Sequence, residues 1–299
     1  MDFSDSLSTN GVAVIGAGTM GSGIAQKIAQ VGIPVFLVDR EQGLAEAGKR
    51  KIVSVLNEAV ERRIFTTEEV AAILAWVTPT ADLDLLKEVA LVIEAVFEDK
   101  EVKRTLFQRL HAVCAPETVF ATNTSSLSVA ELGETAGRED RFGGLHFFFH
   151  PAKNRLLEVI AAGATSSETA HFLWQFGRLI DKTCIRVADR PGFAVNRFFV
   201  PWLNEAVRLF EEGVADIPTI EAAAKIAFGI GMGPFELMNV TGIPIAFHAA
   251  ETLGKSLGHF YVPAPGLVEQ AERREDWDLD GKPDESRFDE VADRLLGCA

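Results

Sequence analysis

The stretch VAVIGAGTMGSGIAQ, residues 12–26, restricts what this chain can fold into more than any other. Its first four residues read as a short buried strand, and a run with helical period follows at once. Between them Gly16, Gly18 and Gly21 stand in the order GxGxxG, with Thr19 and Met20 before the third glycine. Each glycine has a mechanical reason. One makes a tight turn, the next lets backbone approach a pyrophosphate, and the last lets helix pack close to strand. The helix opening here offers free N–H groups and its positive dipole end to phosphate. Glycine-rich turns also serve packing, so the motif alone is weak. Here a second strand, PVFLVD, ends in Asp39, 18 residues after Gly21, where a carboxylate would bind the ribose hydroxyls of a dinucleotide. That carboxylate would repel a 2′-phosphate, which favours NAD over NADP. Arg40 beside it is the group that could accept such a phosphate.

Further along, short β-branched runs alternate with helix-period stretches. Strands are expected at 12–15, 34–39, 90–96, 118–123, 141–148, 155–161 and 184–189, with amphipathic segments such as 43–63, 67–76 and 99–114 between them. This alternation predicts an α/β fold, a Rossmann-like doubly wound, mainly parallel sheet covered on both faces. Beyond RPGF (190–193) the strand signal stops and residues 194–260 read as helical. The turn Asp189-Arg190-Pro191-Gly192 places the boundary, giving a nucleotide-binding domain over 1–189 and an all-helical C-terminal domain over 190–299. A net charge of −14 argues against nucleic acid or an anionic membrane as partner. No apolar run approaches the roughly 20 residues that span a bilayer. The acidic start MDFSDSLSTN has no secretion-signal pattern, and Cys114, Cys184 and Cys298 form no CxxC pair. A cytoplasmic-type compartment with reduced thiols and no metal site is expected. The charge-dense end, from Gln270 to Ala299, reads as a solvated surface segment.

Residues 144–159, GLHFFFHPAKNRLLEV, place His146 and His150 in a run of phenylalanines, with Glu158 following in an apolar segment. Three readings compete: a hydrogen-bonded core histidine, a metal site and a proton-transfer pair. On a strand His146 and His150 would point to one face about 13 Å apart, too far to share an ion. A lone histidine among phenylalanines is more often a core residue. An imidazole titrating near neutrality with a carboxylate on its other nitrogen is also what removal of an alcohol proton needs. Ser125 and Asn196 read equally as turn and helix caps or as donors to a substrate oxygen.

Taken together, IGAGTMGSGIAQ, VIEAVFEDKEVK, ATNTSSLS, GLHFF with LLEVI, DRPGFAVNR and GMGPFEL resemble the L-3-hydroxyacyl-CoA dehydrogenase family of fatty-acid β-oxidation. They run in the family's order from residue 12 to about residue 240. The resemblance implies a Rossmann-type domain, a helical second domain that forms a homodimer, NAD as cofactor and an acyl-CoA substrate. It puts the catalytic histidine on His146, its paired glutamate on Glu158, and substrate-contacting residues on Ser125 and Asn196. It also puts Glu98 and Lys103 near the nicotinamide end of the cofactor, and Asn123 at the start of the NTSS turn. Lys49, Arg50 and Lys51 are candidates for the CoA phosphates, or else a solvated helix face. The chain departs from the family's HFFNP at Phe149 and His150, and Asn239 stands where relatives often carry Asp. Lys153 and Arg155 in that loop suggest an acidic acyl group. A gulonate-type sugar-acid dehydrogenase shares the fold and the His–Glu pair, and a crystallin-like NAD-binding protein is the non-enzymatic rival.

Overall fold

The computed structural model describes residues 3–281; Cys298 and the last part of the acidic tail lie outside them. The alternating pattern is realised as one eight-stranded sheet: β1 (Val12–Ile15), β2 (Val35–Val38), β3 (Val77–Thr80), β4 (Leu91–Glu94), β5 (Val119–Thr122), β6 (Phe142–Phe147), β7 (Leu156–Ala161) and β8 (Thr183–Ala188). Their order is β3-β2-β1-β4-β5-β6-β7-β8, parallel throughout except for the antiparallel β6–β7 pair. Helices α1 (Phe3–Asn10), α2 (Thr19–Ala29), α3 (Gln42–Glu61), α4 (Thr67–Ala75), α5 (Lys100–Val113), α6 (Val129–Ala136) and α7 (Ser167–Leu179) complete this part. The doubly wound fold expected from the alternation is the one observed. Strand order reverses between β1 and β4, and in such sheets ligands sit at the carboxyl ends of strands beside that reversal.

Two elements escape the pattern. VTPT forms β3, an edge strand bonded only to β2, where Pro79 is tolerated because its missing N–H faces away from the ladder. Helix α1 precedes β1 and buries Leu7 completely.

The period-two rule decides which side chains of β6 and β7 can do chemistry. Leu145, Phe147, Leu157 and Val159 fill the core on one face of the sheet. Their neighbours therefore point the other way, where Phe142 and Ile160 join the second core layer with Phe107 and Phe120. His146 and Glu158 share that second face, and the register sets them directly opposite each other. Each large apolar side chain fully buried here contributes roughly 1.5–3 kcal/mol. This surrounding apolar packing is what makes room for two polar groups among them.

The chain divides into two compact units, Met1–Phe193 and Ala194–Ala299. The second holds α8 (Asn196–Glu211), α9 (Ile217–Phe228), α10 (Pro234–Thr241), α11 (Ile243–Leu257) and α12 (Pro265–Arg273). Val207, Phe235, Met238, Ala250 and Leu267 form its core. No helix among the described residues is long and apolar enough to cross a membrane. Asn239 has a structural reason to differ from Asp: its Nδ2 donates to the Trp277 carbonyl at 2.9 Å, and its Oδ1 accepts from the Trp277 N–H at 2.8 Å. A carboxylate could accept but not donate. Asn239→Asp is expected to cost about 1–3 kcal/mol, because a carbonyl loses its donor and faces a charge. The readout is the urea midpoint of unfolding followed by tryptophan fluorescence; an unchanged midpoint would show that the pair carries no stability.

Candidate active site

The three glycines of the first turn serve different ends. Gly16 has φ +106°, and a Cβ there would stand 2.5 Å from the Ala95 carbonyl oxygen. A Cβ on Gly21 would stand 1.7 Å from the Gly16 carbonyl oxygen. Both must be glycine for the protein to close on itself. Gly18 differs: its φ of −72° suits any residue, and a Cβ there would meet nothing within 4 Å. The space over it lies beside the N-terminus of α2, whose first turn carries no acidic residue. Open space at a helix N-terminus with an uncompensated dipole fits a pyrophosphate. Asp39 closes the same turn, its Oδ2 accepting the Ala17 N–H and its Oδ1 the Arg40 N–H, both at 2.8 Å. A carboxylate has lone pairs beyond these two, so ribose hydroxyls can still bind. The residues present therefore fit a dinucleotide.

At the end of β4 lies a group of charges that periodicity alone did not reveal. Glu94, fully buried, receives the Lys103 ammonium at 2.7 and 2.9 Å, the Thr122 hydroxyl at 2.6 Å and the Val96 N–H at 2.8 Å. Burial pushes its carboxyl above the ordinary range, against the pull of Lys103 and the hydrogen bonds. Lys103 also reaches Glu98 Oε2 at 3.0 Å. Lys103 is 1% exposed, its ammonium held between the Glu94 and Glu98 carboxylates. Burying an ammonium is costly unless it is paired, and the two carboxylates supply that pairing.

Glu98 passes this order on to the NTSS turn. Its Oε1 accepts from the Thr124 hydroxyl, the Ser125 N–H at 2.9 Å, the Ser126 N–H at 3.1 Å and the Ser126 hydroxyl at 3.0 Å. Burial alone would raise its carboxyl, but Lys103 and these donors prevail and hold it below the usual range. Glu98 thus sets the backbone of Ser125. Thr122, Thr124 and Ser126 belong to this network although sequence reading passed over them. The available signal was Glu94 itself, a lone acid closing an apolar strand with a lysine nine positions on.

Asn123 follows β5 and accepts the Phe147 N–H on its Oδ1 at 2.8 Å, tying that strand end to β6. One residue before Phe147, His146 Nδ1 meets Glu158 Oε2 at 2.6 Å. The imidazole side chain is 8% exposed and that of Glu158 0%. Phe148 and Phe193 flank the ring, with centroids at 4.5 and 5.7 Å. The sequence expectation that residues 12 apart could touch is met by the antiparallel register. Asn196 is the first residue of α8, in the second unit.

The departing loop has its own supports. His150 Nδ1 accepts the Ala152 N–H at 3.2 Å, and His150 packs with Pro151 where α2 has Gly23. Burial, then the charges of Lys153 and Lys182, hold its imidazole below the ordinary value. Buried Lys182 donates to the carbonyls of Pro151 and Asn154, and desolvation brings its ammonium down to about 8. Arg155 is exposed, 3.9 Å from Asp181, so its nearest charge partner is a surface carboxylate. The Lys49 ammonium donates to the Val77 carbonyl at 2.7 Å, joining α3 to the start of β3. That is the sheet edge opposite the one bearing Gly16, Asp39 and Asn123. Arg50 and Lys51 are exposed.

Sequence models of the 3-hydroxyacyl-CoA dehydrogenase NAD binding domain and C-terminal domain match residues 11–190 and 192–275. The chain belongs to the 3-hydroxyacyl-CoA dehydrogenase family. A probable 3-hydroxyacyl-CoA dehydrogenase of Caenorhabditis elegans is 39% identical over 242 residues, 78% of each chain. A 3-hydroxybutyryl-CoA dehydrogenase of Clostridioides difficile is 36% identical over 247 residues, 83% of this chain and 88% of the relative. The solved (S)-3-hydroxybutyryl-CoA dehydrogenase PaaH1 of Ralstonia eutropha superposes with TM-score 0.84 at 30% identity, covering 91% of this chain and 96% of that one. The resemblance read from the motifs is borne out, and with it an NAD-dependent 3-hydroxyacyl-CoA dehydrogenase.

The glycines separate folding from binding in this dehydrogenase. Gly21→Ala should prevent the first turn from closing and yield little folded protein. Gly18→Ala should leave the thermal midpoint unchanged yet weaken NAD binding on the order of tenfold, about 1.4 kcal/mol. Calorimetric titration with NAD measures this; undiminished affinity in Gly18→Ala would contradict the cradle.

Proposed function

We propose that His146 is the general base that takes the proton of the substrate's 3-hydroxyl, with Glu158 as its orienting partner. The observation carrying this reading is the 2.6 Å contact between His146 Nδ1 and a carboxylate buried beneath it. A carboxylate accepts and cannot donate when ionised, so the proton on the imidazole stays at Nδ1 and Nε2 keeps a bare lone pair for the substrate. When the proton arrives at Nε2, Glu158 balances the imidazolium charge, as the acid of a hydrolase triad does. Bound NAD supplies the acceptor for the hydride that leaves C3. The reverse reaction uses the same groups, His146 returning its proton to the ketone oxygen, so the step runs both ways.

Ser125 and Asn196 are assigned to the 3-oxygen or the thioester carbonyl, where hydrogen bonds stabilise developing charge. The four donors gathered on Glu98 support this for Ser125, since they leave its backbone little freedom. NAD is assigned to Gly16, Gly18, Thr19, Met20, Gly21, Asp39 and Asn123, with Glu98 at the nicotinamide end and Lys103 acting through Glu98. Of the basic residues on α3, exposed Arg50 and Lys51, beside Lys49, are assigned to the CoA phosphates.

Residues 1–189 are read as the NAD domain and 190–299 as the dimerising and substrate domain. Exposed Phe198, Ile226, Phe228 and Ile245 on the helical unit favour association with a second copy. Free thiols at Cys114 and Cys184 suit a reducing, cytoplasm-like compartment.

The test is loss of NADH absorbance with acetoacetyl-CoA, run beside gulonate with NAD. The wild type is expected to turn over the thioester and not the sugar acid. Glu158→Gln should lower kcat by about 10²-fold or more while NADH binding holds. Near-normal turnover in Glu158→Gln would remove the assignment, and activity on gulonate alone would move the substrate to sugar acids.

A further inference from the structure

A hydrogen bond at Nδ1 fixes one atom of the His146 ring but not the plane of the ring. The plane depends on what packs around the ring, and one of those neighbours is unusual. Phe193 has φ +48°, in the left-handed region where a side chain costs free energy and glycine does not. It nevertheless keeps its ring, 5% exposed within the same core layer as Phe142 and Ile160. That ring lies 5.7 Å from the imidazole, tilted at 51° to it, while Phe148 lies at 4.5 Å and 55°.

Strain of this kind persists where the surroundings over-determine the conformation. Here the Phe193 N–H donates to the Arg190 carbonyl at 2.9 Å, after Gly192 at φ +74°. Upstream, the Asp189 carboxylate accepts from the Ser128 hydroxyl at 3.0 Å and from the Val129 and Ala130 N–H groups at 3.1 and 2.8 Å. These anchor the turn to the start of α6, adding the Asp189 carboxylate to Glu131 of its first turn. The turn therefore delivers an aromatic ring beside the His146 imidazole at a position where glycine would be easier.

We infer that Phe193 is a positioning residue for catalysis, holding the His146 ring so that Nε2 points at the substrate hydroxyl. This rests on the reading of His146 as the base. A misplacement of about 1 Å in a catalytic group can cost on the order of 10²-fold in rate.

The experiment compares Phe193→Leu and Phe193→Gly, each alone and combined with His146→Asn, in the full-length enzyme. Leu keeps the strained backbone and loses the ring; Gly relieves the backbone and also loses the ring. Both single variants should lower kcat with acetoacetyl-CoA on the order of tenfold, with NADH affinity unchanged. On the His146→Asn background neither should lower the residual rate further, because the group they position is gone. Wild-type kcat in Phe193→Gly, or an equal further loss on the His146→Asn background, would overturn the inference. Full activity in His146→Asn alone would instead overturn the assignment of the base, and this inference with it.

Discussion

One antiparallel pairing in an otherwise parallel sheet determines what this site can do. Had β7 run parallel to β6, no residue 12 positions after His146 could lie opposite it in a short hairpin-like connection. Because it runs back, Glu158 faces His146 on a shared surface, and the two meet at 2.6 Å without any loop having to hold them. Without such a partner, a fully buried carboxylate would be a costly unpaired polar group. The apolar residues on the opposite face, Leu145, Phe147, Leu157 and Val159, keep both strands in register, since a slip by one residue would invert every side chain. Packing on one face thus fixes the chemistry on the other.

A second set of charges does comparable work at the reversal of strand order. Glu94, Lys103 and Glu98 form a chain from the inside of β4 to the turn carrying Ser125. Buried ion pairs add little net stability, since desolvation offsets the attraction, but breaking one leaves an uncompensated charge. Their value here is geometric: a lysine 1% exposed cannot wander, and neither can the glutamate it fixes. Glycines complete the edge. Gly16 and Gly21 are demanded by the protein's own backbone, and Gly18 by nothing in it, which leaves open space at the N-terminus of α2.

Much of this was readable in the chain before any coordinates. Strong period-two runs and a glycine turn with Asp39 in register identify the sheet and the cofactor edge because they depend on local geometry. The spacing of His146 and Glu158 was readable for the same reason, once both were placed on adjacent strands. What escaped is non-local or atypical. VTPT lacks a strand's signature because an edge position forgives proline. The ion pair of Lys103 with Glu94 escaped because a motif gives position and not direction; the strand-end glutamate lies nine residues away. Lys49 looked like half of a basic patch, yet its ammonium joins α3 to a carbonyl of β3. His150 proved to be a packing residue against α2, a contact with no sequence pattern.

The central claim is about a tautomer, and a tautomer can be observed. Heteronuclear NMR of protein labelled at the histidine ring nitrogens, recorded where the imidazole is neutral, resolves which nitrogen of His146 carries the proton. The account predicts a protonated Nδ1 with a strongly deshielded hydrogen, a bare Nε2, and loss of the deshielded signal in Glu158→Gln. A proton resident on Nε2 in the wild type would contradict it, because the nitrogen meant to receive the substrate's proton would already be occupied.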